Sequence, residues 1–274
     1  LSIGAASLLQ AQATRRALHN PPSLRVTPPA PVFDQQERLM ELAQRRSRVA
    51  QKVGNKAILI LFSTEPRVYT SDVDYHYRQE NNLYYLTNLK QKGATLVLMP
   101  GNPLLPEILF LPRRNTAAET WTGHMYSSKE AHQISGIKEI WDAADFEPFV
   151  RAVRNREPYR PKPDKIFMSA LNDTAQATTT GFESFFEAAG KNEAELYLLV
   201  SRETESREYR REQRFGAEWR SVPNFSVKNA MPIFAEMRLR KSPMELRLLQ
   251  HAIDITIEAL QRSWLAGATA KWEY

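Results

Sequence analysis

AILILF, residues 57–62, decides the fold class. Six apolar residues in a row make a run of strand length, too short for a typical helix. Side chains alternate between the two faces of a strand, so a strand apolar at every position must be covered on both sides. The same signal recurs downstream at Thr95–Met99 and Ile108–Leu111. Gly101-Asn102-Pro103 lies between these two and reads as a turn, and Pro112 with Arg113 and Arg114 ends the second. Lys165–Met168 and Leu196–Val200 read as two more strands. Helical patterns fall between them at Lys129–Ser135, Phe146–Arg154 and Thr178–Ala189. Strands interleaved with helices predict an α/β layer fold. No internal repeat is visible.

Upstream of the first strand, Leu39, Leu42, Arg46, Val49 and Val53 recur at helical spacing, with Arg46 the imperfection in the stripe. Asp34 with Glu37 gives a start signal and Gly54 a stop. Residues 14–32 hold Pro21, Pro22, Pro28, Pro29 and Pro31 and read as an extended linker without a core of its own. The opening LSIGAASLLQAQA is apolar and small, and Ala11-Gln12-Ala13 fits a signal-peptidase site. The expectation is a signal-peptide remnant on a periplasmic or secreted protein; the alternative is a disordered leader on a cytoplasmic one. No run reaches 18 consecutive apolar residues, so no membrane span is expected.

The 274 residues carry 37 basic and 31 acidic side chains, a formal net charge of +6, with the signs interspersed. Nucleic-acid binding wants basic residues gathered on one face, so none is expected. Arg202–Arg220 mixes six arginines with five glutamates at helical spacing, the pattern of a solvated helix face. The absence of cysteine removes disulfides, thiolate zinc sites and cysteine nucleophiles. Near the end, Ser242-Pro243-Met244-Glu245 is a capping box, and Leu246, Leu249, Ile253, Ile257, Leu260 and Trp264 follow as one apolar stripe. This helix needs a partner layer, so its stripe is expected to be exposed or covered by another chain.

The motifs of nucleotide binding, nucleophile elbows and zinc proteases are missing. Asp72, Asp74 and His76 would share one side of an extended segment, and His251 and Asp254 one helix face, but neither set completes a metal site. No catalytic or metal residue is assigned. Trp121, among polar and small neighbours, suits a ligand or interface contact.

Several stretches, in order, resemble one family. YRQENNLYYLTNL (77–89) is similar to the YRQ-x-x-x-F-x-YLTG signature of the creatinase/aminopeptidase P N-terminal domain. Asp72 precedes it at the usual distance. ATLVLMP (94–100) and ILFLPRR (108–114) match the two strands that follow, and ETWTG (119–123) matches E-x-W-x-G. EMRLRKSPMELRLLQHAIDIT (236–256) resembles the junction helix opening the pita-bread catalytic domain. Asn88 stands where glycine is common, in a turn that asparagine tolerates.

The resemblance implies a mixed β-sheet flanked by helices, creatinase N-terminal-like with a ribonuclease H-like motif, plus the first helix of a truncated pita-bread domain. Residues 34–231 would form the N-terminal domain and 232–274 the start of the catalytic one. The full-length protein would be an Xaa-Pro aminopeptidase, with proline dipeptidase or a catalytically dead binding module as alternatives. Its two divalent metals, commonly manganese, would be held by residues beyond Tyr274. The chain would support homo-oligomers and act on peptides with proline at the second position. Trp121 inherits a substrate-lining role, Asp72 an interface role, and Arg78 is read as a fold anchor.

Overall fold

A computed structural model describes residues 24–71, 73–171, 181–200 and 209–267, together with Trp272. The chain divides into two compact units. One is Asp34–Leu239; the other joins the segment ending at Phe33 to the segment starting at Arg240.

The larger unit is built on a seven-stranded sheet. In chain order the strands are β1 (Ala57–Phe62), β4 (Thr95–Leu98), β5 (Glu107–Leu111), β6 (Ile140–Asp142), β7 (Ile166–Met168), β8 (Ala194–Leu198) and β9 (Phe225–Asn229). A separate hairpin pairs β2 (Val68–Thr70) with β3 (Val73–Asp74). The sheet order is β7-β6-β5-β4-β1-β8-β9. β1 pairs antiparallel with β4 and parallel with β8. The β4–β5 pair is antiparallel, joined by the turn foreseen at Gly101-Asn102. There Asn102 Oδ1 accepts the backbone N–H groups of Leu104 and Leu105, at 3.0 and 2.9 Å. β5–β6 and β8–β9 are parallel, and each returns through a helical crossover as parallel pairing requires.

All six residues of β1 are buried, for the reason its composition gave. Ile58, Ile60 and Phe62 enter one core, Ala57, Leu59 and Leu61 the other. The first core is closed by α5 (Phe146–Arg154), α6 (Glu183–Gly190) and α7 (Arg210–Arg220), through Phe149, Val153, Phe185, Phe215 and Trp219. The second is closed by α1 (Gln35–Val53), α2 (Asn81–Thr87), α4 (Ser128–Ser135) and α8 (Met231–Leu239), through Val49, Val53, Leu83, Leu86, Ala131 and Phe234. The mixed sheet with helices on both faces is therefore the observed architecture. Burying each large apolar side chain contributes about 1.5–3 kcal/mol relative to exposure.

Local rules account for the helix ends. Asp34 caps α1, accepting from Gln36 N and Glu37 N, and Ser127 with Glu130 forms a capping box on α4. Asn88 ends α2 in the left-handed region at φ 58°, as its substitution for glycine requires.

Some expectations shift. The helix expected at Thr178–Ala189 is Glu183–Gly190, with residues 178–180 outside the described region. The strand expected from Lys165 starts at Ile166, after a 3₁₀ turn over Pro163–Lys165. The charged stretch Arg202–Arg220 keeps the expected solvated face where it is described, with Arg210, Arg214, Glu218 and Arg220 exposed, and adds a buried one. Its described part is α7, and it buries Glu212, Phe215, Gly216 and Trp219 while Arg211 lies 4.2 Å from the Phe62 ring centroid. Counting charges hid an apolar face set by only two large rings.

Candidate functional site

Trp121 sits on α3 (Glu119–Thr122) and is 89% exposed. The turn is pinned from several sides. Glu119 Oε1 accepts Arg114 Nε at 2.7 Å and Met125 N at 3.0 Å, while Glu119 Oε2 accepts Arg114 Nη2 at 3.1 Å. The Arg114 guanidinium, with the Met125 N–H second, holds the Glu119 carboxyl down at about 2. Asn115 Oδ1 accepts from Ala117 N and Ala118 N. Gly123, at φ 80°, reverses the chain in a conformation that L side chains rarely adopt. Beyond it His124 Nε2 lies 3.1 Å from Glu130 Oε1. Trp121 is thus presented by a braced turn.

That turn is tied to the stretch carrying the YRQ run. Gln91 Oε1 accepts Tyr126 N at 2.8 Å, and Gln91 O accepts Gln79 Nε2 at 3.0 Å. Gln79 also accepts from Thr64 N, Glu80 N and Tyr77 Oη through its Oε1. Burial pushes the Tyr77 phenol up to about 12. Arg78 is exposed and donates to Asn81 Oδ1 at 3.3 Å. The anchoring role given to Arg78 therefore belongs to Gln79, one residue on. The amide both donates and accepts, which suits a buried junction of backbone groups better than a cation.

The β2–β3 hairpin adds exposed side chains: Val68, Tyr69, Val73 and Tyr75, with the two tyrosine rings edge to face at 5.0 Å. Asp74 lies 4.0 Å from Lys92 Nζ. Asp72 lies outside the described residues. Of the metal set considered from sequence, Asp74 faces a lysine and His76 is exposed. Among the described residues no three His, Asp or Glu side chains gather as metal ligands would. The described residues of this chain therefore do not fit a bound metal pair. A void of about 10 Å³ beside Trp219, walled by Ile58, Ile60, Phe149 and Leu196, is apolar and has room for one water at most. It is a packing defect and no substrate pocket.

The described residues form an α/β module that displays one tryptophan, Trp121, on a braced turn. The solved structure of a Bacillus anthracis protein described as an aminopeptidase P superposes with a TM-score of 0.57 at 22% identity, over 76% of this chain and 42% of that one. Residues 42–160 match the family model described as the aminopeptidase P N-terminal domain. An Xaa-Pro aminopeptidase of Haemophilus influenzae is 26% identical over 226 residues, covering 81% of this chain and 42% of its own length. The intermediate cleaving peptidase 55 of Saccharomyces cerevisiae is 23% identical over 223 residues, 79% of this chain and 38% of its own. The chain thus spans about two fifths of the length of these curated relatives.

Proposed function

We propose that this chain is the N-terminal, non-catalytic part of a metal-dependent Xaa-Pro aminopeptidase. It shapes access to a reactive centre carried elsewhere in the full-length protein. The observation that supports this most directly is Trp121, set out in solvent by a braced turn inside a domain of that family. A rigid aromatic ring with one N–H suits a peptide that begins Xaa-Pro, since it can stack on the proline ring and still donate. In this reading Trp121 lines the substrate entrance across a subunit boundary, and Asp72 contributes to the contact between copies. The two divalent metals, manganese in the first instance, are held outside this chain and supply the activated water. The enzyme acts in the periplasm or after secretion.

The test is a peptidase assay on the full-length gene product with an Xaa-Pro peptide and with its Xaa-Ala counterpart. Cleavage confined to the proline substrate, abolished by chelator and restored by manganese, supports the reading. Equal cleavage of both peptides overturns the specificity; indifference to chelator overturns the metal dependence. Specific activity that falls on dilution, as assemblies dissociate, supports the subunit-boundary role of Trp121.

A further inference from the structure

Composition makes the proline-rich stretch before Asp34 a tether, yet it is tied at Arg25, Thr27 and Phe33 to α9 (Pro243–Gly267). The Arg25 guanidinium donates to Asp254 Oδ1. The Arg25 backbone N–H donates to Gln261 Oε1 at 2.8 Å. Two residues on, the Thr27 N–H donates to Glu258 Oε2 at 2.6 Å. At the far end the Arg247 guanidinium lies 4.4 Å from the Phe33 ring centroid.

These partners are not scattered. Arg247, Asp254, Glu258 and Gln261 follow one another at intervals of seven, four and three residues, which places them on one helix face. The segment runs antiparallel to the helix. From Thr27 to Phe33 an extended proline-rich chain covers about 19 Å at ~3.1 Å per residue. From Glu258 back to Arg247 the helix covers about 17 Å at ~1.5 Å per residue. The two lengths agree, so both ends dock without slack.

Asp254 is the buried residue of α9. A buried carboxylate needs compensating donors, and it has Arg25 and the Gln250 side-chain amide, the latter at 3.0 Å. Glu258 is braced from the other side by Arg262 Nε at 2.8 Å. Its hydrogen bonds from Thr27, with that from Arg262 next, hold its carboxyl down at about 2.

We propose that Arg25 and Thr27 form a hook, and that Asp254, Glu258 and Gln261 form its receptor stripe on α9. The occupant of this surface is the protein's own segment Arg25–Phe33. The segment before the first domain helix is then a built strap, and its removal uncovers a buried carboxylate.

Hydrogen exchange of the full-length protein tests the hook at the Arg25 and Thr27 amides. Both should exchange at least ~10-fold more slowly than in a free peptide of residues 24–33. Glu258→Ala with Gln261→Ala should abolish that protection while the amides of residues 57–62 stay protected. Arg25→Glu and Asp254→Arg should each loosen the strap, and the combined swap should restore it. Peptide-like rates at both amides in the unsubstituted protein would overturn the proposal, as would protection unmoved by the double alanine variant. Where a variant loses protection at residues 57–62 as well, the comparison of unsubstituted protein with peptide decides.

Discussion

Arg46 is 4% exposed, yet it interrupts the apolar stripe of α1. Its Nε donates to Glu107 Oε2 at 2.6 Å, and its Nη1 to the carbonyls of Leu86 and Ser135 at 3.0 and 2.9 Å. One guanidinium thus joins α1, β5, α2 and α4. Arg46→Ala leaves two buried carbonyls and the half-buried Glu107 carboxylate without their donor, so it should cost about 2–4 kcal/mol in urea unfolding. Arg46→Lys should recover only part of this, since an ammonium cannot reproduce the forked geometry. A cost under ~1 kcal/mol for Arg46→Ala would show that the network contributes nothing net. Trp121 predicts the opposite. At its exposure Trp121→Ala should move stability by less than ~0.5 kcal/mol. On the proposed function, the same change in the full-length protein should raise KM for an Xaa-Pro peptide by about 10-fold. An unchanged KM would remove Trp121 from the substrate path.

At the scale of elements, α7 carries a carboxylate inside the core layer. Glu212 is 4% exposed, and burial, with the negative Glu80 and Glu65 nearby against the positive Arg211, pushes its carboxyl up to about 7. The folded protein therefore holds a proton on Glu212 that the unfolded chain, titrating near 4.5, releases. Between those two values folding binds a proton, so stability contributed by this site is full below about pH 4.5 and declines as pH rises through about 7. Glu212→Gln, neutral at every pH, should remove that decline and gain ~2–3 kcal/mol at pH 8. Denaturation curves at pH 5 and pH 8 decide it; an identical pH slope in both proteins would exclude Glu212 as the source. α9 shows the complementary case, an apolar face in water. Its capping box is made, with Ser242 N donating to Glu245 Oε2 at 2.7 Å and Glu245 N to Ser242 Oγ at 3.2 Å. The stripe of Leu246, Leu249, Ile253, Leu260 and Trp264 is exposed. Sedimentation of the 274-residue chain should show association that Leu249→Glu with Ile253→Glu reduces.

For the molecule as a whole, adding manganese to the 274-residue chain should leave its Tm unchanged, because nothing among the described residues converges as a ligand set. A saturable rise of several degrees would reveal a site, with Asp72, Asp74 and His76 the first to substitute. The layered architecture was legible in the chain itself. The runs at 57–62 and 95–99 read as doubly covered strands, Asp34 and Ser242 marked helix starts, and the YRQ and E-x-W-x-G stretches carried the resemblance. β6 escaped notice because three residues, Ile140–Asp142, are too few to show a period. β9 escaped because Phe225–Asn229, at a sheet edge, alternates polar residues with only two large apolar ones. Periodicity reports which side of its own element a residue occupies, and that much the sequence by itself determined. It cannot report what stands opposite. The burial of Glu212, the junction at Gln79, the pairing of Arg46 with Glu107 across 61 positions and that of Arg25 with Asp254 across 229 were decided only by tertiary structure. A buried polar group is stable only beside its partner, and which partner that is depends on how distant segments meet.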